Sequence, residues 1–80
     1  MGVPLVPVIS SQLAAVGYDA AARELVIKFH GADREGSVYS YDGVPPELAA
    51  ALLSAPSPGS FFHRHIRSGG YRYRRLEAAP

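Results

Sequence analysis

Glu24-Leu25-Val26-Ile27-Lys28-Phe29-His30 is the stretch on which the fold turns. Leu25, Ile27 and Phe29 alternate with Val26, Lys28 and His30, the two-residue period of a strand with one covered face. Gly31–Gly36 is polar with glycine at both ends and reads as a loop. Ser37–Tyr41 resumes the strand pattern, and Asp42-Gly43 closes it as a turn. Upstream, Gln12–Tyr18 reads as a strand whose alternation is imperfect, because Leu13 and Val16 are three apart. A bulge or a short helix fits that spacing. Asp19–Arg23 connects it to Glu24. Three strands in this order predict an antiparallel meander.

Helical signals follow. Pro45 and Pro46 stand where a helix begins and missing N–H groups cost little. Glu47 falls in the first turn, favourable for the helix dipole. Leu48, Ala49, Leu52 and Leu53 form an apolar stripe at helical spacing. Pro56 stops this helix. Ser57-Pro58 starts a second, running to about Ile66 with Phe62 and Ile66 one turn apart. Ser68-Gly69-Gly70 turns the chain, and Tyr71–Leu76 is a last strand. The predicted order is β-β-β-α-α-β. That is an α+β domain with a mostly antiparallel four-stranded sheet and two short helices packed on one face.

At 80 residues the chain makes one domain with a modest core. Residues 10–76 carry the fold, residues 1–9 read as a flexible N-terminal arm, and 77–80 as a tail. With no cysteine there is neither a disulfide framework nor a thiolate metal site, which suits a reducing cytoplasm. Val3–Ile9 is too short to span a bilayer and lacks the basic start of a signal peptide, so no membrane association is expected. Val6 stands where a myristoylation motif needs Ser or Thr.

Net charge is +1 but unevenly spread. Residues 1–42 hold three basic and five acidic side chains; residues 43–80 hold five arginines and two acids. Between Ser60 and Arg75 there is no acid. This local excess attracts phosphates where the whole-chain charge does not.

Ser10-Ser11, Gly17-Tyr18-Asp19, Leu25-Val26-Ile27-Lys28-Phe29, Tyr39-Ser40-Tyr41, Gly43-Val44-Pro45, Leu52, Ala55, Ser57, Gly59, Phe62, Ile66 and Tyr71-Arg72-Tyr73 form an ordered series. Together they resemble the KTSC domain, found at the C-terminus of some lysyl-tRNA synthetases and as small stand-alone bacterial proteins. The resemblance covers about residues 10–76. Two departures are a lengthened, charged Gly31–Gly36 and His63 where the family often has Asn. The resemblance implies the same fold and no established reaction. Attachment to a tRNA-charging enzyme suggests RNA as a partner.

The two Tyr-x-Tyr triplets decide where such a partner would bind. Exposing the tyrosines for base stacking would send Ser40, Arg72 and Arg74 beneath the helices, and burying unpartnered arginine is the larger penalty. The tyrosines are therefore expected on the covered face with Leu25, Ile27 and Phe29. Phe29, Tyr39, Tyr41, Phe62, Tyr71 and Tyr73 then make an aromatic core with hydroxyls near the rim. The outer face becomes Val26, Lys28, His30, Ser40, Asp42, Arg72 and Arg74. Nucleic acid would be gripped by Lys28, Arg64, Arg67, Arg72 and Arg74, contacts that position phosphates without reading sequence. The alternative is a protein-interaction domain using a free sheet edge or the apolar arm.

No catalytic constellation is recognisable. His63-x-His65 would diverge on a helix, without a cluster to complete a metal shell. There is no Gly-x-Ser-x-Gly elbow and no phosphate-binding glycine loop. The expectation is a non-catalytic binding module without cofactor or metal. Its oligomeric state is not encoded in any recognisable motif.

Overall fold

Cross-strand register accounts for most of the architecture of this computed structural model, which describes residues 3–10, 13–30 and 38–76. Strands β1 (Val6–Pro7), β2 (Leu13–Asp19), β3 (Glu24–Phe29), β4 (Val38–Asp42) and β5 (Tyr73–Leu76) lie side by side in chain order, all antiparallel. Between β4 and β5 come α1 (Pro46–Ser54) and α2 (Pro58–Phe61). The second helix continues through a π-helical turn, Phe62–Ile66, and a 3₁₀ turn, Arg67–Gly69. The class is α+β. The expected Gly31–Gly36 loop, Ser37, Gln12 and the 77–80 tail lie outside the described residues.

The expected four strands are five. Val6 and Pro7, assigned to the arm, pair with Val16 and Ala15. Proline is compatible with an edge strand when its nitrogen faces away from the ladder. The Val8 N–H reaches the Ala14 carbonyl at 3.1 Å, which sets Val6 and Val8 as the bonded positions and turns the Pro7 nitrogen outward. A two-residue strand flanked by prolines leaves no alternation to read.

The irregularity in β2 is a bulge. Leu13 sits opposite Phe29 and Ala15 opposite Lys28, so Ala14 is the extra residue. The bulge brings Leu13 and Val16, three apart, onto the same face, where they are 0% and 1% exposed. The Asp19 carboxylate then accepts the N–H groups of Ala21 and Ala22 and shapes the β2–β3 turn. Arg23 closes it with φ of 53°. The Tyr18 hydroxyl donates to the Val44 carbonyl at 2.5 Å, tying β2 to the approach to α1.

Beneath the helices, Leu13, Val16, Leu25, Ile27 and Tyr41 meet Val44, Ala49, Leu52, Phe62 and Ile66. Of the expected stripe on α1, Ala49 and Leu52 are buried and Leu48 packs at the core's margin. Leu53 is half exposed, because a nine-residue helix against one sheet buries only its central face. The last strand begins two residues later than read. Gly70 adopts φ of 78°, and Tyr71 folds back over Gly69, where an ideal Cβ would sit 2.7 Å from the tyrosine Cε2.

The opposite face of the sheet is also covered in part. A Cβ built on Gly17 would lie 2.3 Å from the Pro4 carbonyl oxygen and against Leu5 and Val3. The arm therefore crosses this face at the one position without a side chain. Gly17→Ala is expected to lower the unfolding free energy by about 1–3 kcal/mol, the range for forced overpacking. It is also expected to speed amide exchange at Val8. Urea denaturation and hydrogen exchange measure the two; no change in either would show that the arm does not rest on Gly17.

Candidate functional site

Strand pairing brings the aromatic residues together. Leu25 faces Tyr41, Ile27 faces Tyr39, Tyr41 faces Tyr73 and Tyr39 faces Arg75. All of these therefore belong to the helix-facing side of the sheet. Phe62 descends from the π-helical turn onto Phe29 and Tyr41, each ring centroid 5.3 Å away in an edge-to-face arrangement. Phe29 stands edge-on to Tyr39 at 5.8 Å. Tyr73 tilts against Tyr41 at 5.6 Å and Tyr39 at 6.1 Å.

The helices do not cover this whole side. No residue of β5 enters the buried core. Tyr41 is 7% exposed, Phe29 and Tyr39 are half-buried, and Tyr73 is 62% exposed. The expectation that Tyr73 belongs to the aromatic core is therefore corrected: its ring is mostly exposed. Parity assigns a residue to a face, but burial also requires something above it, and the helical layer ends short of the edge strand. Tyr71, expected on β5, instead packs partly buried against the core from the preceding turn.

What remains open is a cleft of about 640 Å³. Phe29, Tyr39, Tyr41 and Tyr73 line its sheet side, Phe62, His63 and Arg67 its helical side, and His30, just past β3, also lines it. No acidic residue is among these. His30 had been placed on the outer face by alternation. β3 ends at Phe29, so alternation no longer governs the next residue, and the His30 Nε2 lies 3.1 Å from the Ser10 carbonyl oxygen. His65 diverges from His63 and stacks on Phe61 at 4.4 Å. Among the described residues no group of three or more His, Cys, Asp or Glu side chains comes together, and no helix is long and apolar enough to cross a membrane.

The five candidate cations do not form one surface. Lys28 and Arg74 lie on the outer face, opposite Val38 and Ser40. Arg72 joins them through the Asp42 N–H to Arg72 carbonyl bond, 2.8 Å, which continues the same ladder. Arg64 and Arg67 lie on the helical side, with the sheet between the two groups. Arg74 is partly engaged: its guanidinium is 3.6 Å from the Glu24 carboxylate, which accepts the Ser40 hydroxyl at 2.5 Å. Such an exposed pair contributes little to stability, but it holds the side chain over Ser40, which is fully buried. Val26, also expected on an open outer face, is 4% exposed. The residue missing from the candidate set is Arg75. Its parity with Tyr73 was legible, and the register places it beside Tyr39 on the cleft side.

The site's electrostatics are legible in Tyr41. Burial raises its pKa above 10.0, the neighbouring Tyr39 and Tyr73 raise it further, and Arg67 works in the opposite direction. An unfolded tyrosine ionises near 10, so above that pH the unfolded chain binds fewer protons than the folded one. Stability is then full below about pH 10 and falls as pH rises toward the higher folded value. Tyr41→Phe is expected to flatten this alkaline loss. Urea midpoints between pH 8 and 11 measure it, and an equal loss in the variant would contradict the assignment.

An α+β module with an open aromatic cleft and arginines about its edge strand is the class defined by this geometry. The KTSC domain family model matches residues 9–78, and the chain belongs to that family. An uncharacterized protein of Stutzerimonas stutzeri is 38% identical over 68 residues, 85% of this chain and 90% of the relative. The lysine–tRNA ligase of Nostoc sp. is 33% identical over 73 residues, which are 91% of this chain but 12% of the ligase. The crystal structure of a KTSC domain protein from Yersinia pestis superposes with a TM-score of 0.82 at 33% identity, covering 95% of this chain and all of that one.

Proposed function

We propose that this KTSC domain is a non-catalytic module that binds single-stranded RNA across its β5 edge. One observation carries the reading: a cleft floored by tyrosines opens beside Arg67 at the free edge strand. Aromatic rings and a basic groove are the two elements of sequence-tolerant single-strand binding. The edge position reconciles the divided arginines. Arg72 and Arg74 emerge on one side of β5 and Arg75 on the other, so a phosphate backbone passing the edge meets both. Support also comes from the relationship to a segment of lysine–tRNA ligases, enzymes that act on an RNA.

A second reading, docking of a protein partner along β1, is favoured by apolar exposure. Val6 is 58% and Ile9 99% exposed. Pro4 and Pro7 remove donors from that edge and blunt it as a template for strand addition.

The two readings differ in salt dependence. Four phosphate contacts to a single strand predict a log–log salt slope of about −3. Replacing Arg67, Arg72, Arg74 and Arg75 together by glutamine is expected to abolish binding with the fold intact. Fluorescence anisotropy on short RNAs across a salt series, with circular dichroism on the variant, tests this. Absence of binding at low salt would overturn the RNA reading, and unchanged binding by the variant would overturn this surface.

A further inference from the structure

We infer that Tyr73 is the stacking surface for one unpaired base, and that this ring makes the module prefer single strands to duplex. The inference rests on the RNA reading and adds the residue responsible for strand selectivity.

Tyr73 differs from the other rings of the cleft in what covers it. Phe62 is held edge-on by two partners and is 2% exposed. Tyr41 is nearly as enclosed. Tyr73 is backed by Tyr41 at 5.6 Å with only 30° between the planes, and it stays 62% exposed. A ring supported from behind and open in front is held in place before any ligand arrives. Ordering it on binding therefore costs little conformational entropy. Its contacts with Tyr41 and Tyr39 occupy only part of the ring, and the rest is open to a ligand.

The surroundings select an anionic ligand with a flat face. Arg67 lines the same cleft, Arg75 lies beside Tyr39 on the same side of the sheet, and among the described residues no acid lines the cleft. Tyrosine, histidine and arginine side chains supply both donors and acceptors for a base edge. Inside a duplex both faces of every base are occupied by its neighbours, so away from the ends only an unpaired base can offer its face to Tyr73. Phosphate contacts through arginine are shared by both forms of RNA. Selectivity then resides in the ring and general affinity in the arginines.

The test compares a fluorescent single-stranded RNA octamer with the blunt duplex of the same sequence, using the full chain. Tyr73→Ala and Tyr73→Leu are expected to weaken octamer binding about 5- to 150-fold, the range for losing one base–aromatic stack. Duplex binding and the octamer's salt slope should stay unchanged. Tyr73→Phe, which keeps the ring, should bind as the parent does. Leucine preserves strand packing, so loss in both variants with unchanged circular dichroism excludes unfolding as the cause. Octamer binding at parental affinity by either variant, or loss in Tyr73→Phe, would overturn the role of the ring while leaving RNA binding intact. Failure of the parent chain to bind either RNA would overturn both readings.

Discussion

Phe62 holds the two layers together. Its ring stands edge-on to Phe29 and Tyr41, and it is almost completely buried. It begins a π-helical turn in which the Arg67 N–H returns to the Phe62 carbonyl. That wider turn keeps Phe62 and Ile66 both directed at the sheet while Arg67 comes round to the cleft. Such turns recur at functional sites because they re-aim side chains. The same contact fixes where cover ends. Helical chain seated over β3 and β4 is too short to reach across β5, and the cleft is the part of the sheet left over.

The sheet is consequently asymmetric in a way that alternation does not express. Its helix-facing side is open at Tyr73, and its outer side is closed at Ser40 and Val26. Two separate devices close the outer side. The arm crosses Gly17, where no side chain obstructs it. Glu24 accepts the Ser40 hydroxyl and attracts Arg74. A buried hydroxyl needs such a partner, since an unmet donor would cost more than the bond contributes. Arg74 is thus partly engaged by Glu24, whereas Arg67 and Arg75 have no comparable engagement among the ion pairs of the described residues.

Much of this was legible in the order of residue types. The two-residue period of Leu25–Phe29 determined a strand, its covered face and its antiparallel neighbours. Pro45-Pro46 and Ser57-Pro58 marked the two helix starts, and the non-alternating Leu13 and Val16 left a bulge or a short helix open, of which the structure has the bulge. Relationships of this kind lie within one element, where periodicity is set by backbone geometry alone. Arg75 was equally available by parity with Tyr73.

Tertiary structure alone decided the rest. That Tyr73 is exposed while Tyr41 is buried follows from how far the helical layer extends. That Val6–Pro7 forms a strand follows from a neighbouring edge that offered bonds. The separation of Arg67 from Lys28, Arg72 and Arg74 follows from the sheet standing between them. The sequence by itself determined the elements and which residues share a side within each. How far the cover extends, and at which residue it stops, depends on contacts between elements distant in the chain, and local periodicity carries no record of those.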